Sequence, residues 1–363
     1  MRKSYIGEYN PDYATPPGWV LEERLEIRDW SQADFARRCG RSPKLINEII
    51  SGKAPIEPDT ALQFEKVLDL KASVWLNLES SYQLFLAREK ERKQLEESIG
   101  WFDKFLIKEL RKADILPKTN DPLEGVKSLL VFFGVSSPAA WEAKLGSAAA
   151  HARHTPKLES NKETVSVWLR LGELEASQQD CAPYDEAKFR EALTKIRRLS
   201  RHKVDVFYPR TLELCNEAGV ALAFIRPFPS IKLSGAAWWL NRKTPVIQLT
   251  LRGKWNDVFW FTFFHEAAHI LLHNKKETFI DADKKDGAEW EEEADEWARN
   301  FLIPPGDWKG FLDRGIYSTD FIQQFALEQE ITPAIVLGRL QYENRLRWDS
   351  RMNSSLKERY AIT

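Results

Sequence analysis

Cysteine is scarce in this chain of 363 residues, which holds three: Cys39, Cys181 and Cys215. An odd number of distant cysteines excludes a disulfide framework and any zinc site built from closely spaced thiolates. The opening residues lack the apolar core of a secretion signal. No uninterrupted apolar run reaches the ~20 residues that a membrane span needs. These absences predict a cytoplasmic protein with buried thiols and no membrane partner.

Net charge is also nearly absent, because 53 lysines and arginines face 54 aspartates and glutamates. A net charge of −1 excludes a global electrostatic field that would attract nucleic acid or an anionic membrane. Any contact with nucleic acid must therefore come from a local group of basic residues. The chain is long enough for two or three domains, each with its own core.

Histidine is rare as well, but three of the six histidines lie between positions 265 and 273. The run from Phe259 to His273 is apolar enough to form a buried helix. Positions four apart share one helical face, so His265 and His269 can present two imidazoles to one cation. Glu266, next to them, can accept a proton from a water. This spacing is typical of zinc peptidases; the alternative is a core helix whose histidines bind nothing. His273 is expected to support the site or the fold.

A catalytic zinc ion usually takes three protein ligands, and an acidic helix follows this one. Apolar residues recur at helical spacing up to Leu302, after a strongly acidic beginning. Glu291 can supply the third ligand. Glu293 is the competing candidate, because only the rotation of this helix about its axis decides which of the two carboxylates faces the histidines. Asp295, one turn later, is placed to hold a histidine ring nitrogen. The alternative is an acidic helix start that only faces solvent.

From about Tyr208 to Pro305 the sequence resembles the ImmA/IrrE family of metallopeptidases. The matching segments are Leu233-Ser-Gly-Ala-Ala-Trp-Trp, Pro245-Val-Ile-Gln-Leu-Thr-Leu-Arg, the His-Glu-Ala-Ala-His helix and Glu291-x-Glu-Ala-Asp-x-x-Ala-x-x-Phe-Leu-Ile-Pro-Pro. The resemblance implies a gluzincin-like domain in which His265, His269 and Glu291 bind Zn²⁺, or alternatively Mn²⁺, and it favours Glu291 over Glu293. One departure is Ala268, where many relatives have glycine.

A series of short helices is predicted near the N-terminus, and two of them form a pair between Ser31 and Ile50. Ser31 is a suitable N-cap for the first, which ends at Gly40, and Ser42 caps the second, which runs from Pro43 to Ile50. Two such helices joined by a tight turn that contains glycine are typical of a helix-turn-helix. The residues that the first helix is expected to bury are Ala33, Phe35 and Ala36.

The outward face of the second helix and its flanks are rich in basic residues. Between positions 37 and 53, one acid, Glu48, accompanies five basic residues, here called the basic strip: Arg37, Arg38, Arg41, Lys44 and Lys53. Basic side chains neutralise phosphates, and Asn47 can read an adenine edge. The alternative is a helical domain that binds protein. The predicted DNA-binding residues are Arg38, Arg41, Lys44, Asn47 and Lys53.

Residues 16–88 resemble the XRE helix-turn-helix of HigA-type antitoxins. The matching segments include Pro17-Gly-Trp-Val-Leu-Glu-Glu-Arg-Leu, Trp30-Ser-Gln-Ala-Asp-Phe-Ala-Arg-Arg and Ile49-Ile-Ser-Gly-Lys-Ala-Pro-Ile. The resemblance implies a lambda-repressor-like fold that binds operator DNA, usually as a homodimer. It also implies that the partner of such a protein can be a ribonuclease toxin.

Between the two motifs the sequence predicts helices, and before the histidine helix it predicts strands. One or two charged helices are expected over 80–116, and a helical tail is expected over 318–348. The other predicted helices are Pro122–Phe133, Pro138–His154, Thr164–Gln178 and Asp185–Arg201. The predicted strands are Val220–Arg226, Ala236–Leu240 and Val246–Leu251.

These observations predict a mainly α protein with a small β-sheet, of class α+β. The predicted function is a cytoplasmic, DNA-binding, antitoxin-like transcriptional regulator with a zinc-dependent endopeptidase domain that hydrolyses a repressor or a toxin. The alternative is a non-cleaving repressor whose peptidase-like domain senses or docks a toxin. The predicted domains are a helix-turn-helix domain at 1–80, a helical connector at 81–205, the peptidase domain at 206–315 and a helical tail at 316–363.

Overall fold

The computed structural model describes residues 14–146, 162–225, 234–250, 255–273 and 286–360. Helices dominate these ranges and one three-stranded sheet accompanies them, so the predicted fold class is confirmed. No helix within them is both long and apolar enough to cross a membrane. The chain forms two compact units, Met1–Gly100 with Asp121–Val126, and Trp101–Asn120 with Lys127–Thr363. The four predicted domain boundaries stay a prediction.

Four short helices and the start of a long fifth one build the first unit. Ser31 and Ser42 cap the second and third helices by accepting hydrogen bonds from the backbone N–H groups of Asp34 and Leu45. Gly40 ends the second helix with a φ of 65°, in the left-handed region that glycine adopts without steric cost. The helices are α1 (Pro17–Glu26), α2 (Gln32–Cys39), α3 (Pro43–Ile50), α4 (Pro58–Leu68) and α5 (Ala72–Glu97).

The core of this unit is aromatic at its centre. The ring of Phe64 lies 5.0 Å from that of Phe35 and 5.5 Å from that of Trp75, so α2, α4 and α5 meet there. The expectation that Ala33 is buried was wrong, because Ala33 is exposed and Cys39 takes the inward position on α2. A helix of two turns presents a single narrow stripe to the core, and residue 33 lies outside it.

The charged segment predicted over 80–116 is not a single helix, because its most charged part, 88–97, belongs to α5 and α5 ends at Glu97. It is interrupted by turns at 103–106 before α7, and the helix predicted over Pro138–His154 covers four residues followed by a π-helical turn at Glu142–Gly146. The remainder of that predicted helix lies outside the described residues. The helices are α6 (Ile99–Phe102), α7 (Ile107–Lys112), α8 (Pro122–Phe133), α9 (Pro138–Trp141), α10 (Lys162–Ser177), α11 (Glu186–Leu199) and α12 (Val204–Glu217).

A mixed three-stranded sheet organises the second unit. The strands are β1 (Ala221–Ile225), β2 (Gly235–Trp239) and β3 (Pro245–Thr250). Their order is β1-β3-β2, with β1 parallel and β2 antiparallel to β3. Every residue of β1 and β3 is buried, whereas β2 is half-buried throughout. The strand β2 is thus an edge strand beside two buried ones.

Helix α10 packs on one face of this sheet through a glycine. The buried Gln248 side chain of β3 donates to the carbonyl of Trp168, 2.7 Å away, and it passes so close to Gly172 that any side chain there would collide with it. The opposite face, which includes Leu222 and Ile247, joins the main hydrophobic core. The sheet is therefore covered by helices on both faces.

Helices from the C-terminal half of the chain complete the second unit. They are α13 (Asn256–Leu272), α14 (Asp286–Leu302), α15 (Pro305–Asp313), α16 (Thr319–Glu328), α17 (Pro333–Tyr342) and α18 (Asn353–Leu356). Near the end of the described residues, Lys357 and Tyr360 are buried. Lys357 binds the Asp257 carboxylate, and the Tyr360 hydroxyl accepts from the Trp260 indole at 3.0 Å. These contacts fix the beginning of α13.

Candidate metal centre and nucleic-acid face

Helix α13 carries the histidines on its least buried side. Most of the helix is buried, including Phe259, Trp260 and Phe263. The half-buried residues Phe261, His265 and His269 recur at four-residue spacing, so they share one face. Because the rest of the helix is apolar and packed, this face is presented in a fixed orientation.

The predicted ligands His265, His269 and Glu291 lie together. Nε2 of His265 is 3.0 Å from Nε2 of His269, and the two nitrogens lie 3.4 and 3.5 Å from the carboxylate oxygens of Glu291 on α14. A tetrahedral zinc ion with bonds of about 2.0–2.2 Å separates its ligand atoms by roughly 3.3–3.6 Å. Two imidazole nitrogens and a carboxylate in a triangle of this size fit such an ion.

Asp295 orients the first histidine. Its Oδ1 lies 2.8 Å from Nδ1 of His265, so Nδ1 donates to Asp295 and Nε2 is the nitrogen that faces the triangle. Burial alone would lower the pKa of His265, but hydrogen bonds to Asp295 and Glu291 outweigh it and raise this pKa to about 10. Burial would raise the pKa of Glu291, but its contacts with His265 and His269 hold it well below its usual range.

A second chain of contacts orients the other histidine. Nδ1 of His269 lies 2.8 Å from Nδ1 of His273, and Nε2 of His273 lies 3.3 Å from Glu293. If Nε2 of His269 faces a cation, its Nδ1 donates to His273, which then donates to Glu293. The Trp290 ring stacks on His273 at 5.2 Å. Glu293, the competing ligand candidate, therefore lies against His273 and outside the triangle.

Glu266, the predicted proton acceptor, is buried between α13 and the sheet. It is 7% exposed, and its side chain lies against Gly235 on the edge strand β2. A Cβ at position 235 would stand 2.7 Å from Oε1 of Glu266. The carboxylate therefore lies on the side of α13 that faces β2.

The predicted DNA-binding residues lie on the surface of the first unit, and several have neighbours there. Arg38 pairs with Asp34 at 3.0 Å, and its guanidinium lies over the Trp30 ring. Lys44 lies 3.8 Å from Glu48, and Lys53 is exposed. Exposed pairs of this kind contribute little to stability, so phosphate groups can replace the acids as partners.

Two of the predicted DNA-binding side chains are held by hydrogen bonds to other residues of the first unit. Arg41 is half-buried, and its Nε donates to Oε1 of Gln63 on α4 at 2.5 Å. Asn47 is exposed, and its amide donates to Gln32 at 3.3 Å. Gln32, the first residue of α2, is half-buried beside Asn47 and was not singled out from the sequence. Its position directly after the Ser31 cap was the available signal.

Two family models match the chain. The peptidase M78 family, described as the IrrE N-terminal-like domain, matches residues 215–330, and a helix-turn-helix family matches residues 21–75. The first range contains the histidine–glutamate triangle, and the second contains α2 and α3. The chain therefore carries a helix-turn-helix domain and an IrrE-like peptidase M78 domain.

Three similar proteins match a short part of this helix-turn-helix M78 protein. YddM of Escherichia coli (strain K12), described as an uncharacterised HTH-type transcriptional regulator, is 29% identical over 19% of this chain and 72% of its own. Virulence-associated protein I of Dichelobacter nodosus is 34% identical over 22% of this chain and 74% of its own. A solved Nostoc punctiforme structure, described as an antidote protein of a plasmid maintenance system, is 31% identical over 23% of this chain and 92% of its own, with a TM-score of 0.23.

In this M78 domain the departure at Ala268 is accommodated without displacing a ligand. Ala268 is fully buried, and His265, His269 and Glu291 lie together beside it. The His273–Glu293 contact was the feature of the M78 site that sequence reasoning missed. Helical spacing placed His273 on the correct side of α13, but its partner belongs to another helix whose rotation the sequence does not define.

Proposed function

We propose that this protein is a cytoplasmic, DNA-binding, antitoxin-like transcriptional regulator whose M78 domain is a zinc-dependent endopeptidase. The single observation that carries the peptidase half is the convergence of His265, His269 and Glu291, with Glu266 beside them. The antitoxin-like half rests on the resemblance of residues 16–88 to HigA-type antitoxins and on the helix-turn-helix match. The proposed substrate is a protein partner, either a repressor or a toxin.

The metal ligands in this proposal are His265, His269 and Glu291. A bound Zn²⁺, or alternatively Mn²⁺, would supply Lewis-acid polarisation of the attacking water and of the scissile carbonyl. Asp295 holds His265 with Nε2 toward the triangle, and His273 does the same for His269. Both imidazoles are thus kept in the tautomer that binds a cation.

Glu266 is the proposed general base and acid. Its carboxylate takes the proton of the attacking water and then delivers it to the nitrogen of the leaving amine. The peptide itself would lie along β2, since that strand pairs with β3 on one side only among the described residues. Addition of an extended strand to a free sheet edge is a common way to hold a peptide.

We further propose the domain division 1–80, 81–205, 206–315 and 316–363, and binding to operator DNA as a homodimer. Arg38, Lys44 and Lys53 would contact phosphates, Arg41 would contact the backbone from the start of α3, and Asn47 would face the bases. A chain that both binds operator DNA and cleaves a protein partner would act as a regulator that removes this partner by proteolysis.

The test compares Glu266→Gln with the full-length natural protein in cells, by mapping new protein N-termini. The natural protein should generate cleavage products that Glu266→Gln does not, while zinc content and DNA binding stay unchanged in the variant. Glu292→Gln, an exposed acid on α14, is the matched control and should cleave normally. Equal sets of N-termini in all three would favour the non-cleaving repressor that senses or docks a toxin.

A further inference from the structure

A cavity of about 150 Å³ lies between α13, α14 and α17. Its walls are mainly apolar, with Val258 and Phe261 from α13, Leu302 from α14 and Ile335 from α17. Arg299 and Tyr342 also line it, and the Arg299 guanidinium lies 5.6 Å from the centre of the Tyr342 ring. A comparable cavity of about 150 Å³ in another protein holds one benzene molecule, so the volume suits a single aromatic ring.

This cavity adjoins the metal-binding triangle along both helices. Phe261 lines the cavity and is one helical turn before His265, with the two ring centres 6.2 Å apart. On α14, Arg299 lines the cavity one turn after Asp295, which holds the same histidine. At about 1.5 Å per residue, the cavity lies roughly 6 Å along α13 from His265 and roughly 12 Å along α14 from Glu291.

The mouth of the cavity carries exposed apolar side chains. Val258, Tyr342 and Trp348 all line the cavity, with exposed fractions of 37%, 57% and 58%. Exposed apolar residues grouped around an apolar cavity are typical of a binding site and unusual for a packing defect. The charged residues that line the cavity, Asp257, Arg299 and Arg339, already contact Lys357, Tyr342 and Glu343, so an apolar group fits better than a charged one.

We infer that this cavity receives an apolar side chain, preferably an aromatic one, of the polypeptide that the metal centre cleaves. The inference rests on the proposed peptidase function and names its substrate preference. A polypeptide is favoured over a free small molecule because the cavity adjoins the triangle, with the Phe261 ring lining the cavity and lying 6.2 Å from the His265 ring. The side chain that enters the cavity belongs to a residue next to the scissile bond. Successive residues of an extended chain are about 3.3 Å apart, so only a near neighbour of that bond lies within the roughly 6 Å that separate His265 from the cavity.

The experiment measures the binding of two metal-chelating probes to the zinc-loaded full-length protein. Acetohydroxamic acid carries the chelating group alone, and N-hydroxy-3-phenylpropanamide adds a phenyl ring. Burial of the ring should make the second probe bind at least ~10-fold more tightly. Val258→Trp fills the mouth and should reduce this preference to within about twofold. It should leave the affinity of acetohydroxamic acid unchanged.

Val206→Trp is the matched control, because Val206 is also an exposed helical valine but does not line the cavity. It should keep the full preference for the phenyl probe. Tyr342→Ala, which opens the mouth at an exposed position, should weaken the phenyl probe alone and serves as a second variant if Val258→Trp loads no zinc.

The outcomes separate this inference from the function on which it rests. If neither probe binds the zinc-loaded protein, the proposed metal centre is wrong. If both bind with equal affinity, the metal centre stands and the cavity is not a substrate pocket. A phenyl preference that neither Val258→Trp nor Tyr342→Ala changes would also overturn the inference, because the ring would then lie elsewhere.

Discussion

Gly235 on β2 packs directly against Glu266 on α13, so closely that a Cβ at position 235 would stand 2.7 Å from the carboxylate oxygen Oε1. The same Cβ would stand 2.7 Å from the methyl group of Thr262. The edge strand that is proposed to hold the peptide therefore also forms one wall around the proposed base. A glycine permits this approach because no side chain intervenes.

Gly235→Ala is expected to displace the Glu266 carboxylate and to lower the cleavage rate by roughly 10- to 100-fold. A displacement of a catalytic group by about 1 Å can lower a reaction rate by that factor. Zinc binding should persist, because the three atoms nearest to the added Cβ belong to Glu266 and Thr262 and to none of the three ligands. The measurement is the cleavage rate together with zinc content. Gly310→Ala, where an added Cβ meets nothing within 4 Å, is the control. Unchanged cleavage by Gly235→Ala would contradict the proposed position of the base.

Zinc binding is expected to release protons at neutral pH. The pKa of His265 in the metal-free protein is raised to about 10, above its usual 6.5, by Asp295 and Glu291 against the effect of burial. The metal-free ring is therefore protonated below pH 10, and a cation at Nε2 must displace a proton. Zinc affinity should rise with pH up to about 10. Calorimetry in buffers of different ionisation enthalpy measures the proton count, and zero released protons at pH 7 would contradict the expectation.

His273→Ala is expected to weaken zinc binding by about tenfold or more, as loss of a group that orients a metal ligand usually does. The variant removes the acceptor for Nδ1 of His269 and leaves the three ligands in place. Competition with a fluorescent chelator measures the affinity. His202→Ala, an exposed histidine on a turn, should bind zinc normally. Equal affinities for the two variants would show that His273 serves only the packing around Trp290.

The two kinds of DNA contact should respond differently to substitution. Lys44→Ala is expected to weaken binding to all DNA sequences similarly and to reduce the slope of log K against log salt by about 1. Asn47→Ala should instead relax specificity at one base pair, at a cost of about 1–3 kcal/mol. Lys66→Ala, an exposed lysine on α4 outside the basic strip, is the control. Selection from random DNA followed by titrations at several salt concentrations measures both effects.

Local rules were sufficient for the helices that begin with a cap. Ser31, Ser42 and Asp185 each accept a hydrogen bond from the backbone N–H three residues later, and the helices after them begin where the sequence predicted. The three strands also lie within about one residue of their predicted bounds.

Helices that contradict a local rule were missed. Helix α12 contains Pro209 in its interior, and a proline normally ends a helix by removing one N–H donor. Burial of Phe207, Thr211, Leu214 and Cys215 on one side of α12 offsets that loss. Such tertiary stabilisation depends on neighbours that are distant in sequence.

The candidate site was predictable where it depends on a single helix. The spacing of His265 and His269 fixes their common face, whereas the choice between Glu291 and Glu293 depends on how α14 is rotated against α13. Contacts between the two helices, such as Phe264 with Phe301 at 5.2 Å, set that rotation. The cavity beside the site arises from three helices and leaves no pattern in the sequence.

Anomalous diffraction at the zinc edge, from crystals of the zinc-loaded full-length protein, tests the central claim most directly. The expected result is one strong peak within about 2.0–2.2 Å of Nε2 of His265, Nε2 of His269 and a carboxylate oxygen of Glu291. A protein that takes up no zinc, or a peak whose nearest ligands exclude Glu291, would contradict the account.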